Sequence, residues 1–177
     1  MEKLKKNIYL SLLVAIGLGL SIIESMLPSL IFIPGAKLGF SNIVTLTTIV
    51  LFGFKESLIV ACLKSLLLVL GTGNLIGLFY SLSGGIFSAV LMNFCYNMFL
   101  KKLEIFSLIG ISIIGAIGHN FTQITVAALM LNNRKIYSYL PIMTLISLLT
   151  GYFVGLASHY ISCNLSKNMK INGEDNG

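Results

Sequence analysis

Six apolar runs occupy the chain from about residue 8 to residue 163, separated, after a longer break between the first two, by turns only a few residues long. That pattern constrains the fold more than any single motif. A bilayer core is roughly 30 Å thick and one crossing helix needs roughly 20 apolar residues. The chain's 177 residues therefore hold about six crossings and leave no room for a separate soluble domain. Composition agrees: 56% of residues are hydrophobic, only 10% are charged, and the mean hydropathy is +0.93. The expected fold is an all-α integral membrane protein, a single domain forming a six-helix transmembrane bundle. The runs cover about 8–27, 38–54, 57–70, 75–100, 105–131 and 137–163, with a polar, frayed tail over 164–177. The first run is too long for a signal-peptide core and lacks a small-x-small cleavage site, so it reads as a retained helix ended by Pro28.

Orientation follows from the lysines and arginine between the runs. One side receives Lys3, Lys5, Lys6, Lys55, Lys101, Lys102, Lys167 and Lys170; the other receives Lys37, Arg134 and Lys135. Eight against three places both the N and C termini in the cytoplasm, with Lys64 left inside a span. The net charge of +6 is no nucleic-acid signal, because the basic residues lie between apolar runs rather than on one face.

One stretch breaks the apolar series conspicuously: Pro34-Gly35-Ala36-Lys37-Leu38-Gly39-Phe40-Ser41-Asn42, preceded by Ile33. Backbone that leaves the helix at membrane depth is tolerated only where it lines a cavity or is buried in protein. The stretch is therefore expected to form a lid or wall of a solute site on the outer side. The second and third runs are short and interrupted by glycine, as expected where discontinuous helices build a binding site. Placed by depth, the polar residues of the runs converge on the outer half. Glu24 is the only acidic residue inside an apolar run, and Asn42 begins the second. Lys64 falls near the middle of the third, Tyr80 and Ser81 in the outer half of the fourth, and His119, Asn120 and Gln123 in the fifth. His119 and Gln123, four apart, share a helix face.

The candidate substrate-binding set is thus Glu24, Lys37, Asn42, Lys64, Tyr80, His119, Asn120 and Gln123, with Glu24 partnered by Lys64 or Lys37. Each member has a plainer alternative. Lys37 can be an interfacial loop lysine, His119 and Gln123 can stitch helices together, and Glu24–Lys64 can be a structural pair. An anionic or strongly polar solute would suit the lysines, and Tyr80 and Phe40 could cover a flat ring. Ser11, Ala15 and Gly19 recur every four residues and give the first helix a face that another helix can approach closely. The three cysteines, Cys62, Cys95 and Cys163, have no paired spacing and read as small packed hydrophobes; no metal site and no cofactor are expected.

The stretch from Pro34 to Thr45, the run Tyr80-Ser81-Leu82-Ser83-Gly84-Gly85, and Gly118-His119-Asn120 with Gln123 resemble the Gx transporter family. That family is also catalogued as heptaprenyl diphosphate synthase component I. The resemblance covers nearly the whole chain, from residue 8 to about residue 162. It implies a fold similar to the substrate-binding (S) components of energy-coupling factor transporters in the bacterial cell membrane. Such a subunit binds a small, vitamin- or quinone-precursor-like solute and docks on a transmembrane coupling subunit driven by ATPases; Ser11, Ala15 and Gly19 would suit that docking. The second family name implies instead a non-catalytic membrane subunit partnered by a soluble polyprenyl diphosphate synthase.

The residues themselves narrow the choice. Prenyl transfer needs a diphosphate held by magnesium on clustered carboxylates. The six acidic residues are Glu2, Glu24, Glu56, Glu104, Glu174 and Asp175, and no two within the spans could share such an ion. No Gly-x-x-x-x-Gly-Lys-Ser/Thr loop is present, so the chain is not itself an ATPase. An intramembrane enzyme using His119 is disfavoured for want of an acidic neighbour, and a channel because the inner half of the bundle reads as apolar.

Overall fold

The computed structural model describes residues 2–26, 37–101 and 107–174. The helix stop at Pro28, the Pro34-Gly35-Ala36 part of the turn, and the turn at Lys102 and Glu104 lie outside the described residues. Among the described residues there are six α-helices and no strand. They are α1 (Glu2–Met26), α2 (Asn42–Phe52), α3 (Phe54–Thr72), α4 (Leu75–Lys101), α5 (Leu108–Met130) and α6 (Leu140–Glu174). A short 3-10 turn, Arg134–Tyr139, precedes α6.

Four of the helices, α1, α4, α5 and α6, are long and apolar enough to cross a membrane. The other two, α2 and α3, do not meet that measure, in keeping with runs that are short for a full crossing in the sequence. At 1.5 Å per residue the 11 residues of α2 rise only about 17 Å, roughly half a hydrocarbon core. α3 has 19 residues but carries Lys55, Glu56 and Lys64. A single residue, Gly53, joins them. Its φ of +95° is one a side chain would resist, and it reverses the chain so that α2 and α3 fold back on each other. The last helix departs from expectation: residues 164–174, read as a frayed polar tail, continue α6.

The element ends are set by local chemistry. Ser107 caps α5 by accepting from the Gly110 N–H at 3.2 Å, and Asn74 accepts from the Gly77 N–H at 2.9 Å at the start of α4. At the cytoplasm-predicted end, Lys6 of α1 pairs with Glu56 of α3. Small residues set the helix spacing. A Cβ on Gly151 or Gly155 would lie 2.6 Å from the Cα of Ile113 or Ile109, so α6 rides directly on the α5 backbone. The glycines of α5 play the same part toward α4, Gly115 receiving Met92 and Gly118 receiving Leu91.

α1 presents Leu13, Gly17, Ser21 and Glu24 inward, all buried. Its Ser11–Ala15–Gly19 stripe turns the other way: Ser11 and Ala15 are exposed, and a Cβ on Gly19 would meet nothing within 4 Å. The half of the bundle at the Lys6–Glu56 end is less apolar than the sequence suggests, since Thr47, Thr48, Ser57, Ser112, Ser158 and Ser162 are buried there. Several of these hydroxyls are spent on helix carbonyls, Thr48 on Val44 and Ser57 on Phe54, while Ser158 of α6 donates to the Ile43 carbonyl of α2.

Candidate functional site

Residues 37–41 are non-helical, and they lie inside the bundle rather than across its end. Gly39 packs on His119, midway along α5, and Ser41 bonds to Lys64, midway along α3. α2 therefore starts near the middle of the bundle. Backbone in that position loses its water and must find partners in protein.

Three helices supply those partners. From α5, Gln123 Oε1 accepts from the Lys37 N–H at 3.1 Å. From α1, Glu24 Oε1 accepts from the Phe40 N–H at 2.8 Å. From α3, Lys64 Nζ donates to the Ser41 carbonyl at 2.9 Å, to Ser41 Oγ at 3.1 Å and to Thr45 Oγ1 at 3.3 Å. Ser41 is the N-cap residue of α2, yet its hydroxyl makes no capping bond. The segment closes on itself through Asn42 N–H to Gly39 O at 2.9 Å and Ile43 N–H to Phe40 O at 3.0 Å.

The hydrogen bonds also fix the state of His119. Gln123 uses its carbonyl oxygen on Lys37, so its amide nitrogen, 2.9 Å from His119 Nε2, is a donor there. His119 Nε2 must then be an acceptor, which makes the ring neutral with its proton on Nδ1. Two glycines hold the ring. A Cβ on Gly84 of α4 would sit 2.8 Å from Cε1 and Nδ1, and one on Gly39 would sit 3.3 Å from Cδ2. Gly39 also has φ +87°, so backbone and space both demand glycine there.

Around this frame lie buried polar atoms with no hydrogen-bond partner: Glu24 Oε2, Lys37 Nζ, both Oδ1 and Nδ2 of Asn42, and Nδ1 of His119. Asn42 is 1% exposed and Glu24 7%. A buried polar atom left unpaired costs about 1–3 kcal/mol, so five in one place mark something other than packing. Glu24 feels the charges of Lys37 and Lys64 through space, but its hydrogen bond goes to backbone rather than to either lysine.

The structure thus gathers Glu24, Lys37, Asn42, Lys64, His119 and Gln123. It does not gather Tyr80 and Asn120 with them. Tyr80 packs in an apolar cluster with Ile124, Ala127, Ile136 and Met143. Asn120 faces α6, donating to Ser147 Oγ at 2.8 Å and to the Met143 carbonyl at 3.4 Å. Sequence reasoning missed Ser41 and Thr45 as the oxygens that hold Lys64, and Gly84 as the wall behind His119. The Ser41–Thr45 spacing, one helical turn, is a signal that could have found the first pair.

Compared with known families, the chain matches the model for heptaprenyl diphosphate synthase component I over residues 13–161. It belongs to that family. Comparison with curated proteins and with solved structures finds no match. The family match spans α1 to α6, so all six gathered residues and the short helix α2 fall within it.

Proposed function

We propose that this protein is the membrane-embedded solute-binding subunit of an energy-coupling-factor-type importer in a bacterial cytoplasmic membrane. In this reading the α2–α3 pair completes six crossings with both termini cytoplasmic, as the lysine distribution favours. One observation carries the reading: non-helical backbone inside the bundle, pinned by three helices, surrounded by buried polar atoms that have no partner. Short helices that begin at mid-membrane beside unwound backbone are how transporters build solute sites. Glu24, Lys37 and Asn42 contact the solute, while Lys64, His119 and Gln123 hold the frame. Tyr80 and Asn120 serve packing. Ser11 and Ala15 of the outward stripe line an open groove of about 570 Å³ between α1 and α3, with Gly19 open beyond it, a face that could receive a helix of a coupling subunit.

The family description favours a second reading, a non-catalytic membrane subunit of a heptaprenyl diphosphate synthase in isoprenoid or menaquinone synthesis. Affinity purification from native membranes separates the two. Recovery of a transmembrane coupling subunit with ATPases supports the importer. Recovery of a soluble, Asp-rich prenyl synthase in their place refutes it.

A further inference from the structure

On the solute-binding reading, on which this inference rests, the unpartnered atoms also describe the molecule they would meet. Two ammonium groups, Lys37 and Lys64, act on one carboxylate, Glu24, and the His119 imidazole is neutral by its bond to Gln123. With both lysines protonated and Glu24 ionised, the group has one positive charge in excess. The N-terminal end of α2, with Asn42 as its first residue, adds the positive pole of an 11-residue helix. Lys64, hydrogen-bonded to Ser41 and Thr45, lies at that same pole, an arrangement that repels unless an anion joins it. Lys37 Nζ and Asn42 Nδ2 are free donors suited to anionic oxygens.

An anion alone would leave two acceptors unused. Glu24 Oε2 and Asn42 Oδ1 are buried, unpartnered and able only to accept, and a carboxylate repels a second anion brought against it. They call for an O–H or N–H. The Asn42 carboxamide, both ends free, lies between the two needs.

We infer that the chamber takes a singly charged organic anion that also carries a hydrogen-bond donor. Its anionic group sits between the start of α2 and Lys37, and its O–H or N–H sits on Glu24. Such a solute pairs Lys37 Nζ, Asn42 Nδ2 and Glu24 Oε2 and cancels the excess charge. A plain anion, a neutral polar molecule or a dianion does not.

Three matched probes test this on the purified full-length protein in detergent, with thermal stabilisation followed against concentration. They are 3-hydroxybenzoate (anion and donor), benzoate (anion only) and 3-hydroxybenzamide (donor, no charge). The expected apparent affinity for the first exceeds that for either of the others by roughly tenfold, the worth of one hydrogen bond to a charged group. Lys37→Met removes the charge but keeps the backbone N–H on Gln123, and should erase the advantage over the benzamide. Glu24→Gln keeps an acceptor for Phe40 but offers an amide N–H in place of the free oxygen, and should erase the advantage over benzoate. Equal stabilisation by all three probes, stabilisation by none, or an order unchanged in both variants overturns the inference. The importer reading fails separately, if no coupling subunit co-purifies whatever the probes do.

Discussion

Gly84→Ala is the sharpest perturbation of the frame, because the change is one methyl group with a known collision. The new Cβ would stand 2.8 Å from Cε1 and Nδ1 of His119, where ordinary contact begins at 3.4 Å, so something must yield by about 0.6 Å. The ring has little freedom: it is 4% exposed, with Gly39 at its other edge and Gln123 bonded to its Nε2 at 2.9 Å. Overpacking a buried site costs about 1–3 kcal/mol, set against a helix-propensity gain of about 1 kcal/mol for Gly→Ala. The neighbouring Gly85→Ala is the control, since its Cβ would meet only Ala61 at 3.9 Å and keep the propensity gain without the clash. The two variants should differ by about 1–3 kcal/mol, several degrees in the thermal midpoint of the purified protein. Repeating the pair in a His119→Ala background should abolish the difference, because the collision partner is gone. Equal midpoints for the two single variants, or a difference that survives His119→Ala, would refute the placement of His119 against Gly84.

Other outcomes follow from the same geometry. Gly39→Ala should cost about 1–2 kcal/mol for its left-handed backbone and speed hydrogen exchange at Phe40 and Asn42, whose N–H groups are bonded to Glu24 Oε1 and to the Gly39 carbonyl; unchanged exchange would contradict this. Gly19→Leu should leave the thermal midpoint within about 0.5 kcal/mol of wild type, since the position is open, yet reduce recovery of a coupling subunit; undiminished recovery removes α1 as the docking face.

Which residues share a depth was legible in the sequence, because short turns force each run to reverse direction and residue number then gives depth. Glu24, Lys64, His119 and Gln123 met on that ground alone. Which way each side chain points was not legible. In a bundle whose outer surface is as apolar as its core, hydrophobic periodicity carries little information about the inward face. Hence Asn120, one residue after His119, turns about 100° away to α6, and Tyr80 joins an apolar cluster. The short length of α2 was partly visible in its glycine-bounded run, but its start at mid-bundle was not. That depth depends on Lys64 and Glu24 bonding to backbone oxygens and N–H groups, which residue types alone do not specify. The small-residue stripes show the same limit: Gly151 and Gly155 of α6 pack tightly, whereas Ser11, Ala15 and Gly19, with the same spacing, face outward.

The most direct test of a solute chamber at the start of α2 is mass spectrometry of the small molecule released from the purified protein on denaturation. Wild type should release one species, and Asn42→Ala and Lys37→Ala should release far less of it while remaining folded by their thermal midpoints. Equal amounts from wild type and both variants, or no small molecule from any of them, would contradict a solute site built on these residues.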